Sequence, residues 1–140
     1  KINGMLASEF MISAFTSGYE GVPVAFLAGD AALCQHAKAF IPGISTVAVK
    51  EGEGNGTINL HPDVAVDMIR ETVEKALKGD LSKCKVAMPK TFHVEMGYKR
   101  HQDAHVCGFY PGAKQTGPNT VEFDAKDYFE VLRFFSFCTK

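Results

Sequence analysis

Glu9 is the most unusual acidic residue of this sequence, because it is the only charged side chain between Ile2 and Tyr19. At about 100° per residue, a helix over this stretch would place Glu9, Ser13 and Thr16 on one narrow face among apolar side chains. Such a helix should be mostly buried, and a buried lone carboxylate is costly unless it meets a cation, a metal or hydrogen-bond donors. Glu9 is therefore a candidate functional carboxylate. The alternative is that its narrow polar face simply touches water.

Three further polar residues lie where apolar strands are expected to end. Asp30 ends a continuous apolar run, Lys50 ends a β-branched run, and Asn55 lies in the glycine-rich loop that follows Lys50. Ligands of open parallel sheets bind at the carboxyl ends of the strands, so these residues are weaker candidates for a cleft. The structural alternatives are that Asp30 caps the next helix and that Lys50 is a solvated strand end. The loop lacks the GK[ST] ending of a phosphate loop.

The histidines and cysteines give weaker signals. His101 and His105 are four residues apart and would share a helix face, but no glutamate follows His101 as in the zinc motif HExxH. A surface or partly buried pair is therefore favoured over a metal site. No cysteine pair has the C-x-x-C spacing, and we predict four reduced thiols, as in a cytoplasmic protein. The cysteines are Cys34, Cys84, Cys107 and Cys138.

The composition is that of a globular domain. The chain has 140 residues, 46% hydrophobic and 22% charged, with a net charge of −1. The length fits one domain or the larger part of a two-domain chain. The charge gives no electrostatic case for binding nucleic acid or an anionic membrane, and no apolar run is long enough to span a bilayer. No leader opens the chain, which favours a cytoplasmic location. Because it begins with Lys1 and not Met, we expect a processed chain or a segment of a longer protein.

The predicted elements of the first half alternate between helix and strand. The short joins between the strands indicate a βαβ crossover and a parallel pair. A clear amphipathic helix then begins near Pro62 and ends at Gly79, with an apolar stripe of Val66, Ile69, Val73, Ala76 and Leu77. The predicted elements before it are a helix over 5–18, a strand over 22–30, a helix over 31–40 and a strand over 45–50.

The second half has a different pattern. Residues 91–98 and 119–124 alternate between apolar and polar types, as half-exposed strands do. Asp124 is the predicted cap of a last helix that is apolar on most of its circumference, which predicts burial in a core or against another subunit. The fold class is therefore α/β, with a mixed, mainly parallel sheet, flanking helices and a more antiparallel, α+β-like second half.

Several stretches are similar to one known enzyme family. They are ING, SEFMISAFTSGYEGVPVAFLAGD, IPGISTVAVKEG and INLHP and, near the end, FYPG followed by TVEFDAKDYFEVLRFF. With these motifs the chain resembles the C-terminal part of the DppA-type zinc D-aminopeptidases over nearly all of its length. The most specific stretches are GYEGVPVAFLAGD and PGISTVAVKEG.

The resemblance implies a two-zinc site that activates water and removes N-terminal D-residues from short peptides, in subunits that form decameric rings. Most metal ligands of the family, and its catalytic histidine, lie in a preceding N-terminal half. The one ligand within this segment is a glutamate in a G-E-x-G-like helix start, and it corresponds to Glu9 in ASEFM. The sequence departs from the family pattern here, because Ser8 and Met11 replace glycines and Ser13 stands where asparagine is common.

We therefore predict that residues 1–140 are a single domain, the C-terminal portion of a longer, two-part, cytoplasmic zinc aminopeptidase. Its partners would be a short peptide substrate, the missing N-terminal half and further copies of itself, with no nucleic acid and no membrane. The segment alone should be inactive, because one glutamate binds neither of two zinc ions tightly. Two alternatives stay open. One is a non-catalytic binding or assembly domain that kept the fold, and the other is a metal-free α/β enzyme that uses Asp30 and Lys50.

Overall fold

A computed structural model of the chain describes residues 1–139. The chain divides into two compact units, which are described separately. The terminal unit comprises Lys1–Ile12 and the residues from Met88 onward, and the central unit comprises Ser13–Ala87. That residues 1–140 form a single domain of a longer protein stays a prediction. No helix within residues 1–139 is long and apolar enough to cross a membrane.

The first helix, α1 (Glu9–Tyr19), begins in the terminal unit and continues into the central unit. It begins later than the predicted residue 5, because the Ser8 hydroxyl accepts a hydrogen bond from the Met11 N–H at 3.2 Å and so caps the helix. It also passes through Gly18, which was predicted to end it.

The central unit contains the predicted parallel strand pair. Strand β1 (Phe26–Asp30) is followed by α2 (Ala31–Phe40) and by β2 (Ser45–Glu53), which pairs with β1 in parallel. All five residues of β1 are half-buried. The strand is shorter than predicted, because the chain before it bonds elsewhere: the Val24 N–H donates to the Cys84 carbonyl at 2.9 Å.

The predicted loop at 51–56 is mostly strand. Strand β2 runs to Glu53 and returns through a tight turn into β3 (Gly56–Asn59), its antiparallel partner, so the sheet order is β1-β2-β3. Gly54 has a φ of +56°, a conformation that suits glycine and permits the turn. Every residue over 50–60 is exposed.

Helix α3 (Pro62–Leu77) forms where the amphipathic pattern predicts it, and a short 3₁₀ helix (Leu81–Cys84) follows. The predicted apolar stripe was partly wrong, because Val66 and Leu77 are 51% and 61% exposed. The other three residues of the predicted stripe, Ile69, Val73 and Ala76, are half-buried, together with Ala65 and Thr72.

The terminal unit is an antiparallel sheet with two helices. Its sheet order is β4-β6-β5, which confirms the more antiparallel second half. Strand β5 was not predicted, because its sequence AKQTG lacks an apolar alternation. The elements in chain order are β4 (Phe92–Gly97), α4 (His101–Cys107), β5 (Ala113–Gly117), β6 (Thr120–Ala125) and α5 (Tyr128–Cys138).

The capping prediction for the last helix was wrong by three residues. Asp127 is the cap, and its carboxylate accepts the Glu130 N–H at 3.0 Å, whereas Asp124 lies within β6. Helix α5 buries its inner face, where the Phe134 ring stacks on Phe123 with centroids 4.6 Å apart. Its outer face leaves two further aromatic rings exposed, those of Phe129 at 54% and Phe137 at 74%.

The prediction of four reduced cysteines was wrong for two of them. Cys107 at the end of α4 and Cys138 at the end of α5 form a disulfide with a Cα–Cα distance of 5.2 Å. The spacing of the cysteines did not predict this disulfide. Cys107 and Cys138 are 31 positions apart in the sequence, and only the fold brings the two helix ends together. Cys34 and Cys84 are buried free thiols.

Candidate functional site

Glu9 is the first residue of α1, and its side chain is exposed. This exposure agrees with the alternative that the polar face of the helix touches water, because α1 buries Met11, Ala14 and Phe15 on the opposite side. A carboxylate in the first turn is favoured by the positive end of the helix dipole. Glu9 thus stands at a capped helix start, with its carboxylate open to solvent. Its role as a metal ligand stays a prediction.

Asp30 and Lys50 come together through the pairing of β1 and β2. The two residues are register partners at the carboxyl end of β1, where a local irregularity follows Gly29. They line one cleft of about 510 Å³, together with Gln35 and Thr57. A cleft of this size at the ends of parallel strands is a common place for a small ligand. The geometry agrees with a cleft position for both residues.

Of the three charged residues that line this cleft, Asp30 and Lys50 are engaged differently. One Asp30 oxygen accepts the Leu33 N–H at 2.8 Å, so Asp30 caps α2, as the structural alternative foresaw. Lys50 is exposed and forms no ion pair among the residues that the structure describes. Lys50 is therefore the cation of this cleft that is available to a negatively charged ligand, and the Glu51 carboxylate lines the same cleft.

Asn55 does not join this cleft. It lies in the turn between β2 and β3, and the residues that line the cleft on β2 and β3 are Lys50, Glu51, Gly52 and Thr57. The sequence placed Asn55 near the strand end because the length of β2 was underestimated. A side chain at the tip of a hairpin faces solvent, and Asn55 is exposed.

The histidines are dispersed over several elements of the described chain. His101 and His105 both lie on α4 and are exposed, and the His105 ring packs against Phe109 with centroids 5.1 Å apart. His61 caps α3 through its Nδ1, which accepts the Asp63 N–H at 3.3 Å. Within residues 1–139, no group of three or more His, Cys, Asp or Glu side chains is arranged to hold a metal ion.

The contact between His93 and Asp124 was not predicted from the sequence. The His93 Nδ1 lies 2.7 Å from the Asp124 carboxylate on the outer face of the terminal unit's sheet. Asn3 holds the His93 backbone on both sides, because its N–H donates to the His93 carbonyl at 2.8 Å and its side-chain oxygen accepts the His93 N–H at 2.7 Å. The alternation put both side chains on polar faces, but only the strand register reveals the contact.

The chain matches the D-aminopeptidase family over residues 1–137. The chain belongs to this family. It is 29% identical over 134 residues to the D-aminopeptidase of Bacillus subtilis (strain 168). The aligned residues make up 94% of this chain and 49% of that relative. Its fold is similar to that of the Zn-dependent D-aminopeptidase DppA from Bacillus subtilis, described as a self-compartmentalizing protease. That comparison has a TM-score of 0.81 at 28% identity and covers all of this chain and 53% of the other.

The chain thus spans about half the length of the D-aminopeptidases it matches. The α/β fold and the family inferred from the sequence motifs are confirmed. This similarity assigns no metal-binding or substrate-binding residue of the chain. The roles of Glu9, Asp30, Lys50 and Asn55 are therefore proposals.

For this member of the D-aminopeptidase family, we expect Asp30→Ala to lower the free energy of unfolding by about 1 kcal/mol, the usual cost of losing a helix cap. The Leu33 N–H would lose its acceptor at the start of α2. Asp30→Asn keeps an acceptor and should cost much less. Chemical denaturation of the full-length protein measures both variants. Equal stability of the wild type and the alanine variant would contradict the capping role.

Proposed function

We propose that this chain is the C-terminal part of a zinc-dependent aminopeptidase that removes N-terminal D-residues from short peptides. The observation that carries the proposal is the match to the D-aminopeptidase family along the whole segment, together with the similarity to a Zn-dependent member. Two zinc ions would occupy each complete site, with most ligands on the N-terminal half. Glu9 is the proposed ligand from this segment.

The described residues fit one part of a zinc site. The Glu9 carboxylate is exposed and stands at a fixed helix start, so it is free to bind a cation. Zinc needs three or four protein ligands, and residues 1–139 offer no such group. Glu9 therefore fits the role of a single ligand that completes a site begun elsewhere in the polypeptide, and the segment alone should be inactive.

The chemistry of the proposed site is hydrolysis by activated water. Zinc, when bound, supplies a Lewis acid that lowers the pKa of its water toward neutrality. Glu9 would contribute a negatively charged oxygen ligand and a fixed position for it, because Ser8 caps the helix that carries it. The helix start would thus determine where the carboxylate points.

The Asp30–Lys50 cleft is the weaker part of the proposal. The exposed Lys50 ammonium would hold the carboxylate of a short peptide, while Asp30 shapes the cleft by fixing α2. Asn55 would contact substrate only from the tip of the hairpin. These roles rest on position at strand ends and in the following turn.

We further propose that the protein is a cytoplasmic homo-oligomer, a decameric ring by similarity to its family. A relative is described as self-compartmentalizing, which requires several copies around a chamber. The outer face of α5 offers a surface for assembly, because Phe129 and Phe137 expose apolar rings that a partner copy would cover. The partner in this proposal is another copy of the chain.

The alternative function is a non-catalytic binding or assembly domain that kept the fold. The two proposals differ in the polypeptide that precedes Lys1. An acidic motif and two histidines there would supply the remaining ligands and favour the enzyme. Their absence would favour the binding domain.

The test is metal analysis of the full-length protein, combined with a screen of D- and L-aminoacyl dipeptides. We expect about two zinc ions per chain, faster release of D-residues and loss of activity with a chelator. Sedimentation at micromolar concentration reports assembly in the same preparation. A metal-free protein that cleaves neither series would overturn the enzymatic proposal, and a monomer would overturn the oligomeric one.

A further inference from the structure

A second cavity of the central unit lies at the end of β2 opposite the Asp30–Lys50 cleft. It has a volume of about 540 Å³ and includes Ser45 and Thr46, the first two residues of β2. Its other polar side chains come from α2, α3 and the 3₁₀ helix: Lys38, Thr72, Lys75, Asp80 and Lys83. The lining does not include Glu9 and shares no residue with the Asp30–Lys50 cleft.

The lining of this cavity is strongly basic for a protein whose net charge is −1. Three lysines and one aspartate line it, which gives a local charge of +2. None of the three lysines forms an ion pair among residues 1–139. Lys38 and Lys75 lie in the last turns of α2 and α3, where cations offset the helix dipole. Lys83 lies in the last turn of the short 3₁₀ helix.

Asp80 keeps its negative charge, which the local charge of +2 already includes, and its carboxylate is engaged by Ser82. The Ser82 hydroxyl donates to it at 2.6 Å and the Ser82 N–H at 3.0 Å. These hydrogen bonds lower the pKa of Asp80, with a smaller electrostatic contribution from Lys83. Asp80 therefore serves as the cap of the 3₁₀ helix and positions the segment that carries Lys83.

Three half-buried hydroxyl groups line the same cavity. Ser45, Thr46 and Thr72 form no side-chain hydrogen bond within the part of the chain that the structure describes. Half-buried hydroxyls without a protein partner are available to water or to a ligand. Because a hydroxyl donates one hydrogen bond and a lysine donates three, the lining is rich in donors.

The wall between Gly43 and the 3₁₀ helix is closely packed. A Cβ atom on Gly43 would lie 2.2 Å from the Lys83 carbonyl oxygen, so the two backbones are in direct contact. The Cys84 thiol also donates to the Gly43 carbonyl at 3.1 Å. The backbone of Lys83 is thereby held beside the start of β2, while its side chain is exposed.

We propose that this cavity binds the phosphate group of a small molecule. A phosphate offers three or more strong acceptor oxygens and a charge of about −2, and lysine is a common phosphate partner. The three ammonium groups supply the charge, and the hydroxyls of Ser45, Thr46 and Thr72 supply directed hydrogen bonds. The volume leaves room for a group larger than inorganic phosphate itself.

The test is calorimetric titration of the full-length protein with inorganic phosphate, at an ionic strength held constant with chloride. We expect saturable binding that weakens by about tenfold for each of Lys75→Met and Lys83→Met, the usual loss for a hydrogen bond to a charged group. Lys78→Met is the matched control, because Lys78 follows α3 directly and does not line the cavity. This readout needs no peptidase activity, so it is independent of the proposed function.

Two results would overturn the phosphate site. One is the absence of saturable binding at millimolar phosphate. The other is equal affinity in the wild type and in the Lys75→Met and Lys83→Met variants, which would place the anion elsewhere. Circular dichroism confirms that the variants fold, and Thr46→Val and Thr72→Val provide a second series that changes no charge. Weakened binding in that series would support a contribution of directed hydrogen bonds.

Discussion

Replacement of Glu9 by alanine in the full-length protein should lower both its zinc content and its rate of peptide hydrolysis. The carboxylate is the proposed ligand from this half of the polypeptide, and α1 offers no neighbouring acidic side chain to replace it. Loss of groups that only support a metal ligand costs about 10- to 100-fold, so loss of the ligand itself should cost more than 100-fold in kcat/KM. Metal analysis and peptidase assays on the same preparation measure the two effects.

Two further variants show whether a loss arises at the metal. Glu9→Gln keeps the size of the side chain and removes its charge, so it should also lose zinc. Glu20→Ala removes an exposed acidic residue just beyond the end of α1 and should behave as the wild type. All three variants should unfold at nearly the wild-type temperature once the metal is removed, since Glu9 is exposed. Full zinc content and activity in Glu9→Ala would rule out the assignment.

Reduction of the Cys107–Cys138 disulfide should lower the free energy of unfolding by about 3–4 kcal/mol. The bond links positions 31 residues apart, and the estimate is the chain entropy that a cross-link of this length removes from the unfolded state. It connects the ends of α4 and α5 beside a buried aromatic cluster. Chemical denaturation with and without a thiol reductant measures the difference.

The free thiols provide the control for this experiment. A variant with Cys34→Ala and Cys84→Ala retains the disulfide alone and should lose as much stability on reduction as the wild type. Cys107→Ser should be insensitive to the reductant. Unchanged denaturation midpoints in the reduced wild type would contradict the stabilising role. Disulfides rarely persist in the cytoplasm, so the thiol state of the isolated protein also tests the proposed location.

The fold was predictable where the sequence carries a period or a strong boundary. The continuous apolar run before Asp30 and the β-branched run from Ser45 predicted the parallel pair, because both patterns reflect the burial of a strand. Pro62 at the start of α3 fixed another boundary. Strand β5 was missed because AKQTG has no alternation and owes its pairing to β6. Its structure depends on a neighbour that local sequence does not describe.

Some of the candidate sites could likewise be predicted from the sequence, and others could not. Asp30 and Lys50 were expected at one sheet edge from topology alone, and the register places them opposite each other. The disulfide, the His93–Asp124 pair and the basic cavity combine residues that are distant in sequence, so their spacing carried no signal. Glu9 was noticed as a lone charge whose burial the sequence left open, and the helix start at that residue leaves it exposed.

The fully exposed hairpin formed by the end of β2 and by β3 has a consequence for local stability. Its backbone hydrogen bonds join only two strands and lie near solvent, and two-stranded hairpins are marginally stable in water. Amide hydrogens over 50–60 should therefore exchange through openings much smaller than global unfolding. Lys50 lies at the base of this hairpin and also lines the cleft, so fraying of the hairpin would release one wall of the cleft while the rest of the central unit stays folded.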